Sequence, residues 1–120
     1  MKQPDVRAFL WDIRNGCALL REIAATHTFD DYAGDVILRL AVERQFEIIA
    51  EALRNVQKTD PPSAGRITAA AQIIAFRNRI AHDYWRVLNP IVWATIYDHV
   101  PLLEREVTQL LDEMPPPKSR

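Results

Sequence analysis

Between Arg77 and Tyr84 the chain places two guanidinium groups, a carboxamide, an imidazole, a carboxylate and a phenol within one short stretch, Arg77-Asn78-Arg79-Ile80-Ala81-His82-Asp83-Tyr84. On a helix Asn78 and His82 are four apart and share a face, with Arg77 about 100° round from Asn78. Tyr84 reaches the same space only if the helix stops near Asp83. An imidazole can take up and release a proton near neutral pH. A planar guanidinium offers paired donors to the oxygens of an anion such as phosphate. A small polar site at a helix end, handling protons and an anion, is the chemistry this set can perform. The same residues admit a purely structural reading, because His and Arg in a last turn complement the negative end of a helix. Spacing alone leaves both readings open.

The elements around this stretch must position it. Upstream, Ile67 to Ile80 reads as a helix whose alanine-rich run, ITAAAQIIAF, allows close backbone approach. Downstream, Asn89-Pro90 reads as a helix start, Asn89 as N-cap and Pro90 at the first helical position. The polar stretch then occupies a helix end and a short crossing, which Trp85 and Val87 are expected to anchor by burial. A first helix is expected from about Pro4 to Ala25, with Val6, Leu10, Ile13, Cys17, Leu20 and Ala24 forming one apolar stripe. Gly16 within it costs about 1 kcal/mol relative to Ala and marks a close crossing or a slight break. Thr26-His27-Thr28 is the turn, with His27 exposed. A second helix is expected to run unbroken from Thr28 or Phe29 to Val56, roughly 40 Å. Ile37, Leu40, Ala41, Ile48, Ala52 and Val56 can line its core face, and Tyr32, Val36, Phe46, Ile49 and Leu53 broaden it. An apolar surface so wide calls for a partner subunit as well as the core. Glu43, Glu47 and Glu51 form a stripe at four-residue spacing. The stripe is either a solvated face paired with Arg39, Arg44 and Arg54, or the source of a carboxylate that orients Arg77 or Arg79.

Lys58 to Gly65 reads as a loop because paired prolines and a glycine interrupt a helix. A fourth helix is expected from Pro90 to about Asp112, kinked near Tyr97 to Val100 by Pro101. Leu102, Leu103, Val107, Leu110 and Leu111 complete the core. The fold class is all-α, an antiparallel bundle of four main helices with a fifth segment if the kink is sharp. Residues 1–112 form the single domain, and 113–120 a mobile Pro-rich tail.

Composition narrows the function. A chain of 120 residues holds one sizeable core. Three glycines form no phosphate-cradling loop, which argues against P-loop and dinucleotide folds. Cys17 is the sole cysteine and suits a small core position. The charged start is no secretory signal and no apolar run approaches membrane-spanning length, so a cytoplasmic protein is expected. His27, His82 and His99 lack metal-ligand spacing, and neither a metal nor a cofactor is expected. Ser63, Ser119 and Cys17 are unsuited to be nucleophiles. The net charge of −1 excludes a broad nucleic-acid-coating surface. From Arg66 to Arg86, however, four arginines face one acid, Asp83, so RNA contact should be confined to that segment.

Arg77, four residues, His82, one residue, Tyr84 resembles the Arg-x4–6-His-x-Tyr motif of HEPN-domain ribonucleases. The longer stretch FRNRIAHDYWRVLNPIVWATIYDHVPLLEREV resembles the HepT-like toxin branch, and RQFEIIAEAL (Arg44 to Leu53) resembles its second helix. The likeness covers roughly Val6 to Leu111. Asn89 stands where such proteins often carry Asp, and it caps a helix equally well.

The resemblance implies a metal-independent endoribonuclease. The 2′-hydroxyl of RNA attacks the adjacent phosphate, so the protein need only move protons and steady charge. His82 and Arg77 are the implied catalytic residues for those tasks, with Asn78 and Arg79 auxiliary. It implies a homodimer in which two motifs face one cleft. It also implies a partner, a minimal nucleotidyltransferase antitoxin of the MntA type that transfers AMP onto Tyr84. The alternatives are a non-catalytic dimerisation or nucleotidyltransferase-binding module, and nucleotide binding without cleavage.

Overall fold

The computed structural model describes the backbone of residues 5–82 and 85–115 and the side chains of 5–79 and 89–115. Among them are seven helices and no strand: α1 (Val6–Thr26), α2 (Phe29–Gly34), α3 (Val36–Thr59), α4 (Pro61–Ala64), α5 (Ala70–His82), α6 (Trp85–Asp98) and α7 (Val100–Glu113). The all-α bundle expected from the sequence is the observed architecture, with α2 and α4 as short additions.

Asp5 starts α1 by accepting from the Arg7 amide, and Leu10, Ile13, Cys17 and Leu20 of the expected stripe are fully buried. The helix is continuous through Gly16. A Cβ there would meet Ile49 Cγ1 at 2.8 Å, so the glycine serves a close crossing of α1 and α3 and not a break. Ile49 is itself fully buried and β-branched, leaving it little room to give. Burial pushes the Cys17 thiol up to about 12, as suits a core position.

The long second helix is in fact two. Thr28 and Asp31 close a capping box at the start of α2, and Asp35 then caps α3 by accepting from the amides of Ile37 and Leu38. Such a cap satisfies donors that a fresh helix start leaves unpaired, and it stabilises the break between Gly34 and Val36. Buried Arg39 donates to the carbonyls of Tyr32 and Ala33, at the end of α2. Tyr32 stacks on Trp93 with ring centroids 5.2 Å apart, holding α2 against α6. The core face of α3 also differs from the expected one. Val42, Phe46, Ile49, Ala50, Ala52, Leu53 and Val56 are buried, whereas Val36, Ile37, Leu40 and Ala41 face solvent and Ile48 is half-buried.

The remaining corrections concern proline. Residues 58–65 are not a loop throughout: α3 runs to Thr59, and Pro61 and Pro62 occupy the first positions of α4, where a missing N–H costs nothing. Helix α5 starts at Ala70, three residues later than Ile67, after a turn in which the Thr68 amide and hydroxyl both donate to Glu106. Asn89 is not an N-cap and Pro90 does not begin a helix. α6 starts at Trp85 and runs through both, so Pro90 forgoes one backbone bond near the helix start. The expected anchoring by Trp85 and Val87 concerns side chains outside the described residues. The kink expected at Tyr97 to Val100 is observed and is sharp: α6 ends at Asp98 and His99 is the N-cap of α7, the expected fifth segment, with Pro101 in its first turn. In α7, Leu103, Val107 and Leu110 are buried, Leu111 is half-buried and Leu102 is exposed. The fold also extends beyond residue 112. Glu113 pairs with Arg66, Met114 packs on the core, and the Pro115 carbonyl accepts from Arg7 at 2.7 Å. The tail beyond Pro115 lies outside the described residues.

Candidate active site

Helix α5 carries the polar stretch and is held by α3. Phe76 meets Phe46 edge-on at 5.3 Å between centroids, burying one side of α5, and Ile73 is buried with it. The next two residues then turn toward the polar side of α3. Arg77 is half-buried, with Nη2 3.9 Å from Glu47 Oε2, and Glu47 also receives Arg44 at 2.9 Å. Asn78 Oδ1 accepts from Arg54 Nη2 at 3.0 Å, and Arg54 Nη1 lies 3.3 Å from Glu51. Two chains of contact therefore cross from α3 to α5: Arg44–Glu47–Arg77 and Glu51–Arg54–Asn78. A guanidinium can only donate, so the contact with Arg54 fixes the carboxamide with its oxygen toward α3 and its NH2 pointing elsewhere.

Both readings of the glutamate stripe hold in part. Glu47 and Glu51 pair on their own helix with Arg44 and Arg54, and Glu47 also faces Arg77. Glu43 is different. Burial pushes its carboxyl up, partly offset by Arg39. Arg79 is exposed on the same turn of α5. His82 is the last residue of α5, so the unbroken helix puts it one turn beyond Asn78 on the same face. Its side chain and the whole of Tyr84 lie outside the described residues. His99 is the N-cap residue of α7, and among the described residues no three His, Cys, Asp or Glu side chains are grouped to hold a metal ion.

Beside Arg77 opens a cleft of about 270 Å³ between α1, α3 and α5, lined by Phe9, Asp12, Arg44, Glu47, Ile48, Glu51, Ala52, Arg54, Asn55 and Arg77. The sequence reading did not connect Arg54 to Asn78, nor Phe9, Asp12 or Asn55 to any site. Only Arg54 carried a signal, its three-residue spacing from Glu51 in the acidic stripe.

The family described as Ribonuclease HepT-like matches residues 13–110. The chain belongs to the HepT-like ribonuclease family. It is similar to "Putative RNase TTE0752" of Caldanaerobacter subterraneus subsp. tengcongensis, 32% identical over 94% of this chain and 98% of the relative. It is similar as well to "Putative RNase MJ0127" of Methanocaldococcus jannaschii, 25% identical over 95% and 93% of the two chains. "Probable ribonuclease HepT" of Thermococcus cleftensis is 26% identical over 85% of this chain and 92% of its own length. No solved structure matches. The matched region takes in the HepT-like stretch from Phe76 to Val107, including both α5 and α6.

The α3-to-α5 contacts are exposed and should orient side chains without carrying the fold, since surface ion pairs contribute about 0–1 kcal/mol. Arg54→Ala, Asn78→Ala and the double variant should each unfold within about 1 kcal/mol of the parent chain. Denaturant titration measures this, and a loss above about 2 kcal/mol in either single variant would make the pair a structural element, as the helix-end reading requires.

Proposed function

We infer that this chain is an endoribonuclease whose site is built on Arg77 and His82, with Asn78 and Arg79 auxiliary. The observation that carries the reading is the placement of Arg77 and Asn78. Within a chain of the HepT-like ribonuclease family, their polar groups are held from α3 at the edge of an open cleft, one helical turn before His82. RNA brings its own nucleophile, the 2′-hydroxyl. In the proposed reaction this oxygen bonds to the adjacent phosphorus, the 5′-oxygen leaves, and a 2′,3′-cyclic phosphate forms. One His82 takes the proton from the 2′-hydroxyl and a second returns one to the leaving 5′-oxygen. Arg77 steadies the added charge on the phosphate oxygens, and the Asn78 NH2 donates to one of them. No metal is required by this scheme.

Two His82 side chains in one cleft require a homodimer. The surface suited to it is the exposed apolar stretch of α3 formed by Val36, Ile37 and Leu40, which are 56, 75 and 59% exposed. A two-fold contact that buries this stretch against its own copy is the commonest closed arrangement. Tyr84, two residues beyond His82, is the proposed acceptor of AMP from a minimal nucleotidyltransferase antitoxin. A bulky anion added there would fill and neutralise the phosphate site. The chain is then the toxin of a toxin–antitoxin pair.

Replacing the two catalytic residues should cause different failures. His82→Ala should retain most RNA binding and lose at least about 100-fold in cleavage, because its proposed task is proton transfer while the arginine supplies the phosphate contact. Arg77→Ala should lose cleavage and also bind more weakly, with a shallower salt dependence. Both are measured with EDTA present, and full cleavage by a folded His82→Ala protein would reject the mechanism.

Leu40→Glu should convert a dimer to a monomer by placing a charge in the apolar contact, as read by light scattering at micromolar concentration. A parent chain that is monomeric there, or a variant that stays dimeric, would remove this surface from the interface.

Incubation with the nucleotidyltransferase and ATP should add AMP-sized mass to the parent chain and not to Tyr84→Phe. The same additions on Tyr84→Phe would exclude Tyr84 as the acceptor.

A further inference from the structure

The cleft beside Arg77 has a charge balance that a phosphate site would not have. Its lining sets Arg44, Arg54 and Arg77 against Asp12, Glu47 and Glu51, so its formal charge is zero. Two of the carboxylates already lie within ion-pair distance of the guanidinium groups. The carboxylates would repel an anion entering deeply. The polar groups instead suit a neutral ligand that offers both N–H donors and acceptors, against a wall that includes Phe9, Ile48 and Ala52. At about 270 Å³ the cleft is smaller than most pockets for drug-sized molecules, which start at about 300 Å³, and it suits a single planar base.

We propose that this cleft is a guanine-binding pocket that selects a nucleotide next to the phosphate held at Arg77. The proposal rests on the ribonuclease reading and names the base recognised at that site. The deciding element is the Glu51–Arg54 pair. Among the described residues Arg54 gives one N–H to Glu51 and one to Asn78, which leaves three of its five. Side by side, the pair offers a donor and then two carboxylate acceptors. That is the order on the pairing edge of cytosine, and it complements the O6, N1–H and N2–H2 of guanine. Adenine and cytosine can satisfy the donor and one acceptor only. Uracil would turn its second carbonyl toward a carboxylate oxygen. Because Arg54 also holds Asn78, a base seated on the pair is connected directly to a residue of the phosphate site.

The test uses the full chain and short oligoribonucleotides that differ at one position, carrying guanosine, inosine, adenosine, cytidine or uridine. Inosine lacks only the 2-amino group. Product mapping should place cleavage beside guanosine, at least tenfold faster than beside any other base, with inosine at the level of adenosine. Glu51→Gln replaces one acceptor with a donor and should bring the guanosine-to-inosine ratio close to one. Binding of the 2′-O-methyl forms of the same oligonucleotides, followed by fluorescence anisotropy, reads the pocket without chemistry. Cleavage without base preference would overturn the pocket and leave the ribonuclease reading intact. No cleavage of any oligonucleotide, together with guanosine-dependent binding, would overturn the ribonuclease reading and leave the pocket standing. Equal binding of guanosine and inosine forms, or a ratio unchanged in Glu51→Gln, would reject the guanine assignment.

Discussion

The polar edge of the molecule depends on how closely α1 approaches α3 at Gly16. With Ile49 Cγ1 lying 2.8 Å from where a Cβ would stand, the Ile49 side chain packs directly on the α1 backbone at the crossing. Helix α1 is thereby drawn onto α3 along a line of fully buried residues, Leu10, Ile13 and Cys17 on one side and Phe46, Ile49 and Leu53 on the other. That contact sets the rotation of α3 about its own axis. Once Ile49 and Leu53 face the core, Glu47, Glu51 and Arg54 must face away from it. They then border the cleft, together with Phe9 and Asp12 from α1 and Arg77 from α5. The glycine lowers local helix propensity by about 1 kcal/mol relative to alanine, and the close packing it permits offsets that loss.

Charge on this edge is arranged in relays. Two polar residues of α5 meet residues of α3 that are already engaged on their own helix: Arg77 meets Glu47, and Asn78 meets Arg54. A carboxylate shared by two guanidinium groups leaves each of them incompletely neutralised, so Arg77 retains the capacity to bind an anion. At 3.9 Å the Glu47–Arg77 contact is the longer of the two ion pairs of Glu47 among the described residues, and an anion approaching Arg77 would compete mainly with that one. The protein can therefore keep a net charge near zero and still concentrate positive potential along one short stretch of α5.

Much of this was legible in the sequence where one physical signal acted alone. The stripe in α1 had a single face and was placed within two residues of its observed limits. Where two signals shared a residue, the reading failed. Asp35 is tolerable inside a helix and better as a cap, and only the bonds it accepts from Ile37 and Leu38 show which role it takes. Apolar residues lie on more than one side of α3, so periodicity found the wide surface but assigned Ile37 and Leu40 to the core when they face outward. Proline was ambiguous in the same way. Pro61 and Pro101 stand in the first turns of helices and Pro90 lies within one, though each could have marked a start. At the site, the cluster on α5 was visible because its residues are adjacent in sequence. The pairing of Asn78 with Arg54 was not, since it depends on the rotation of α3, which is decided by packing at Gly16.

This division between core and edge accounts for how such a site can be altered without loss of the fold. Helix α5 is fastened by Ala70 and Ile73, which are buried, and by Ile74 and Phe76, which pack against the core; all four precede the polar stretch. From Arg77 onward the described contacts with α3 are exposed or half-exposed ion pairs and hydrogen bonds, each worth about 0–1 kcal/mol. Apolar burial in the first half of the helix, at about 25 cal/mol per Å², outweighs them several-fold. The weak contacts still confine the rotamers of long side chains that would otherwise sample many. Their effect falls on the orientation of donors, where a small change in position alters chemistry far more than it alters stability. Sequence change along the polar faces of α3 and α5 can thus retune which ligand is held while Gly16, Ile49 and Phe46 keep the frame in place.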